Sequence, residues 1–130
     1  MQDRPSVDEL LEAVAGFLQD DVMPNTTGRL NFHARVAGTV LQMLRRELSL
    51  EEPALQREWD GLNGILGEVS APGTLAEMRA ATVARNEELA RRIRAGEMDR
   101  EDSHGLLVRH LRSVMRDKLA VSNPALLAEG

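Results

Sequence analysis

Apolar residues recur at three- and four-residue steps along most of this chain, the spacing that lines one side of an α-helix. Over Asn25–Leu48, the residues Leu30, Ala37, Val40, Leu41, Leu44 and Leu48 share one side, and His33 falls among them. Ahead of this stretch, Ser6 and Glu9 make an S-x-x-E capping box directly after Pro5. Such a box satisfies the free N–H groups of a helix start and predicts a first helix from Ser6 to about Met23. Its stripe is Val7, Leu10, Leu11, Val14, Phe17, Leu18 and Val22, and Pro24 stops it. The second predicted helix begins within Asn25–Asn31 and runs to Leu48.

A second S-x-x-E pair, Ser49 and Glu52, with Pro53 placed for a first turn, predicts a third helix from about Leu50 to Leu66. Leu55, Trp59, Leu62, Ile65 and Leu66 share its apolar side, while Gly61, Gly64 and Gly67 weaken its end. The loop EVSAPGT follows. Thr74 and Glu77 then cap a fourth helix that continues to Ala95, where Gly96 is placed for a left-handed stop. Its stripe reads Leu75, Met78, Thr82, Asn86, Leu89 and Ile93, with two polar side chains interrupting it. Asp99 or Asp102 starts a fifth helix whose line is Leu107, His110, Leu111, Val114, Lys118 and Leu119. Asn123-Pro124 ends it, leaving a short C-terminal tail from about position 121.

With no alternating strand pattern anywhere, these elements predict an all-α fold of five helices in a mostly antiparallel bundle. The first, second, fourth and fifth helices form the bundle and the third crosses it, in one helical domain over residues 1–130. Composition agrees. The chain is 42% hydrophobic but only 2% aromatic, so Leu, Val, Ile, Ala and Met must fill the core, which suits helix packing better than sheets.

A formal charge of −5 argues against nucleic acid as a partner, because phosphate contacts need a basic surface. Residues 1–65 carry six Lys+Arg and eleven Asp+Glu, so the acidic excess lies in the first half. Without cysteine there is no disulfide, thiolate nucleophile or Cys-based zinc site. The acidic, amphipathic start does not read as a signal peptide, and no run approaches the ~18 apolar residues of a membrane span. The default expectation is a cytoplasmic protein of bacterial type, with no membrane partner.

No Walker A loop, G-x-G-x-x-G, H-E-x-x-H or G-x-S-x-G is present, nor are the two E-x-x-H motifs of a di-iron bundle. No cofactor, metal or catalytic residue is therefore assigned. His33 and His110 each fall on an apolar stripe, which leaves two readings. They are histidines hydrogen-bonded at the core edge, or they join Asn86 in an interior polar site for a small ligand. His104 is expected to be exposed in the first turn of the fifth helix. Arg109, Arg112 and Arg116 recur at helical steps as a basic ridge. It is either a solvated face or a dock for an acidic partner or phosphate, with Asp20 and Asp21 as candidate mates within the chain.

The opening MQDRPSVDELLEAVAGFL, the middle GRLNFHARVAGTVL and the closing VMRDKLAVSNPALL together resemble a small uncharacterised bacterial domain family. The matching positions include Gln2, Asp3, Arg4, Pro5, Phe32, His33, Arg35, Arg116, Asp117, Lys118, Asn123 and Pro124. The resemblance spans nearly the whole chain and carries no active-site residues. It implies an accessory domain found beside, or joined to, aminoglycoside-phosphotransferase-like proteins and acyl-CoA dehydrogenases. The expectation is a non-catalytic accessory or protein-interaction domain, compatible with a homodimer, whose partner is a phosphotransferase-like or acyl-CoA-processing enzyme. The competing expectation is a small-ligand-binding protein or an enzyme using the bundle interior.

Overall fold

In the computed structural model, which describes residues 3–128, the first helix starts where its capping box sits. Ser6 Oγ accepts from the Glu9 amide and the Glu9 carboxylate accepts from the Ser6 amide, opening α1 at Val7–Gly16. Gln2, part of the opening segment that carries the family resemblance, lies outside the described residues. Beyond α1 the chain widens into a π-helical segment, Phe17–Val22, and then tightens into a 3₁₀ turn, Met23–Asn25, around Pro24. Carbonyls released as the helix ends are taken up by side chains: Asn25 donates to Asp21 O and Thr26 to Val22 O.

The largest departure from the sequence expectation is α2, one continuous helix over Gly28–Leu66 where two were predicted. Pro53 lies inside it. The Ser49 hydroxyl donates back to Arg46 O, a bond characteristic of helix interiors, and caps nothing. A proline denies the carbonyl four residues earlier its donor, here that of Ser49, yet one missing bond does not stop a helix held by packing on both sides. Gly67, with φ +100°, ends it.

The remaining elements follow their local signals closely. Thr74 and Glu77 form the second capping box and open α3, Leu75–Arg94, which Gly96 closes at φ +77°. The next helix, α4, spans Glu101–Ser122 and starts after Arg100, which makes no side-chain cap; neither Asp99 nor Asp102 holds that position. The expected tail winds into a single turn, α5, at Ala125–Ala128. The fold is all-α, with five α-helices and no strand among the described residues.

The chain divides into two compact units, Met1–Ser49 and Leu50–Gly130, with the boundary inside α2 and one turn before Pro53. In the first unit, α1 lies against the N-terminal part of α2. Arg45 binds Asp8 with two hydrogen bonds of 2.7 and 3.0 Å and approaches Glu12 at 3.5 Å, while Asn31 reaches back to Met23 O. Among its described residues, only Ala15 and Ala34 are buried. In the second unit, the C-terminal part of α2 packs with α3 and α4 around Leu62, Leu89, Met98 and Leu107, flanked by Ile65 and Leu66. Three cross-helix contacts tie it: Arg57 to Asp117, Arg79 to Glu51, and Arg85 to the α2 end.

Candidate functional site

The second unit holds a polar cluster at the edge of its helix-packed core, with Glu58 and Asn86 half-buried and His110 buried. Leu62 and Trp59 turn one side of α2 inward, and Glu58, one position earlier, comes to the edge of that core. Its carboxylate accepts a 2.7 Å hydrogen bond from Asn86 Nδ2 on α3. His110 on α4 is buried, and its imidazole packs so closely on Gly61 that a Cβ there would collide with Nδ1 and Cε1. Burial pushes the His110 pKa below the ordinary 6.5, because the charged ring loses hydration, and the nearby Glu58 carboxylate opposes that shift. One turn before Asn86, Thr82 is buried with its hydroxyl lacking any hydrogen-bond partner.

Asn86 and His110, both expected inside, therefore sit in the second unit, where Glu58 accepts a hydrogen bond from the first and acts electrostatically on the second. His33 is the exception. It belongs to the first unit and is exposed, with Nε2 accepting from Arg29 at 3.2 Å and its ring edge-on to Phe32. Its stripe on α2 is real, but that side of the helix is open: Leu30 is 61% exposed and Leu48 59%. Glu58 was missed by sequence reading, although it lies three residues after Leu55 and four before Leu62, on the flank of the same stripe.

Beside Trp59 stands a second polar assembly. Arg85 lies over the indole ring, 4.8 Å from its centroid, and donates to Asn63 Oδ1 and to the carbonyls of Leu62 and Gly67. Trp59 Nε1 and Asn63 Nδ2 both donate to Val69 O. These bonds commit both terminal nitrogens of the guanidinium and the ring N–H to fixing the end of α2 and the loop after it, a structural task.

Arg109, Arg112 and Arg116 are exposed on α4, as the spacing predicted, and line a shallow groove with Gly105, Val108 and Ser113. They make no ion pair or hydrogen bond with the described residues of their unit, whereas Arg57, Arg79, Arg91 and Arg92 are all paired with carboxylates. Glu88, held between Arg91 and Arg92, has its carboxyl drawn down to about 2 by those hydrogen bonds. An apolar shelf adjoins the ridge: Leu111 and Met115 are exposed, with Leu119 and Leu127 alongside. His104 is exposed in the first turn of α4, where it was expected.

The first unit carries the other unusual surface. On α1 and at Phe17 just beyond it, Val7, Leu10, Val14 and Phe17 are 45–62% exposed, and on α2, Leu30, Val40, Leu44 and Leu48 are 46–61% exposed. The sides that face each other are more polar. Ala15, Gln19 and Met23 meet Arg35, Gly38, Thr39, Gln42 and Arg46 around a pocket of about 350 Å³.

Among the described residues, no group of three or more His, Asp or Glu side chains could hold a metal ion, and no described helix is long and apolar enough to cross a membrane. The family profile for a domain of unknown function, DUF6285, matches residues 24–126. The chain belongs to the DUF6285 family. No curated protein and no solved structure matches it. The DUF6285 span contains the Glu58, Asn86 and His110 cluster, the arginine ridge and the exposed α2 stripe, while α1 precedes it.

Proposed function

We propose that this DUF6285 chain is a non-catalytic interaction module that supports an enzyme of phosphotransferase-like or acyl-CoA-processing kind in the bacterial cytoplasm. The observation that carries the reading is the ridge of Arg109, Arg112 and Arg116, three exposed guanidiniums without a carboxylate partner among the described residues of their unit, next to the apolar shelf of Leu111 and Met115. Long-range attraction by the arginines speeds encounter with an acidic surface, and burial of the shelf supplies affinity. The choice of enzyme class rests on the resemblance of the opening, middle and closing segments.

Co-purification from the native host, followed by titration of the recovered enzyme, tests this. Arg112→Glu weakens binding by a larger factor at low salt than at high salt, since exposed charges are screened over about 8 Å at physiological ionic strength. An affinity unchanged by Arg112→Glu removes the ridge from the interface.

The second reading, a small-ligand site, draws on Thr82, whose buried hydroxyl lacks a partner one turn from Asn86. A buried polar atom left unpaired costs about 1–3 kcal/mol, and a ligand that hydrogen-bonds it recovers that cost. Native mass spectrometry of the purified chain separates the two: a bound small molecule lost in Asn86→Leu favours this reading.

A further inference from the structure

We propose that two copies of this chain associate through the open apolar face of the first unit, giving a two-fold dimer in which their α1 and α2 helices build a four-helix bundle. This goes beyond the docking ridge, which lies in the other unit. Within the first unit, α1 and the N-terminal part of α2 run antiparallel: Asp8 pairs with Arg45 and Met23 O is reached by Asn31. Opposite chain directions reverse the sense of the two helical wheels. The stripe beginning at Val7 and the stripe beginning at Leu30 therefore emerge on the same side of the hairpin, away from its polar seam.

Three observations identify the occupant as a second copy. The first is the lack of a core: a unit of this size that, among its described residues, buries only Ala15 and Ala34 has too little apolar burial to hold itself, and association is the usual remedy. The second is area. The eight open stripe residues expose roughly 800 Å² per copy, the share each partner brings to a standard interface.

The third is charge. Arg29 precedes the α2 stripe and Glu47 adjoins its far end, on the same edge of the helix, and both are exposed. Arg29 uses only Nε, on His33, and Glu47 makes no ion pair among the described residues. A two-fold axis at the level of Gly38 sets Arg29 of one copy opposite Glu47 of the second copy, twice over. An unrelated partner has no reason to match that spacing, whereas an isologous interface is complementary to itself.

Sedimentation velocity on the full chain, over a concentration range from about 1 to 100 µM, tests the dimer in the absence of any other protein, so its outcome is independent of the ridge. The expected result is a concentration-dependent monomer–dimer equilibrium. Leu44→Glu shifts it to monomer by at least tenfold in dissociation constant. Glu47→Arg weakens it by several-fold, and Glu47→Arg combined with Arg29→Glu restores it, with helical circular dichroism checked for each variant. A wild-type chain that stays monomeric at 100 µM overturns the proposal. So does a dimer indifferent to Leu44→Glu, or one that the double exchange fails to restore.

Discussion

The two units use the same helical period and opposite solutions for it. In Leu50–Gly130, Trp59, Leu62, Leu89 and Leu107 are buried where their stripes converge; in Met1–Ser49, the equally regular stripes of α1 and α2 lie open. Periodicity identifies which residues share a side of a helix, and it does not say whether the chain itself covers that side. The difference lies in what crosses between helices. The second unit offers three helix surfaces that interdigitate large aliphatic side chains, and the first offers two, joined through alanines and the Arg45, Asp8 and Glu12 ion pairs. Exposed pairs of that kind contribute little to stability.

The sharpest way to break this comparison is to truncate one leucine in each unit. Leu62 is fully buried, so Leu62→Ala leaves a cavity and is expected to cost about 2–5 kcal/mol in chemical denaturation. Leu44 is 46% exposed, and Leu44→Ala in the monomer at high dilution is expected to cost less than about 1 kcal/mol. Equal losses at both positions would mean that the first unit has a core of its own.

Smaller, and confined to the second unit, is the effect of Gly61→Ala. The added methyl must displace the His110 ring, and overpacking of this kind costs about 1–3 kcal/mol. The same substitution at Gly64, where a Cβ meets nothing, is the control and is expected to be neutral to stabilising. A Gly61→Ala variant as stable as Gly64→Ala would dissociate His110 from α2.

Acidification produces the smallest effect. The His110 pKa is lowered in the folded chain, so the unfolded chain binds the extra proton first as pH falls. Stability is accordingly complete above the ordinary imidazole value of 6.5 and declines as pH drops below it. Denaturation midpoints at neutral and mildly acidic pH check this, and His110→Gln should flatten the part of the slope that this ring supplies. A slope unchanged in His110→Gln would place the pH sensitivity elsewhere.

Local signals were legible in the sequence because local chemistry decides them. Ser6 with Glu9, Thr74 with Glu77, and the glycines at 67 and 96 set helix ends through bonds within a few residues. Ser49 with Glu52 and Pro53 carried the same signature and misled, since flanking packing on both sides outweighed one lost backbone bond. Asn86 and His110 stand out in the sequence because they interrupt apolar stripes, whereas Glu58 lies on the flank of its stripe and its contact depends on what α3 brings to it. His33 was misplaced for the reason the whole first unit was: its stripe exists, but no helix of that unit covers it. Met98, buried in the turn before α4, lies outside any helical period and gave no signal.

In the proposed dimer the first unit needs a second copy to cover its apolar face, while the second unit does not. Amide hydrogen exchange measured along the chain at a series of protein concentrations tests that asymmetry most directly. The predicted result is protection over residues 7–16 and 28–48 that falls on dilution across the dimer midpoint, with residues 55–66, 75–94 and 101–119 unchanged. Protection of the first unit that is independent of concentration, and as strong as that of the second, would contradict it.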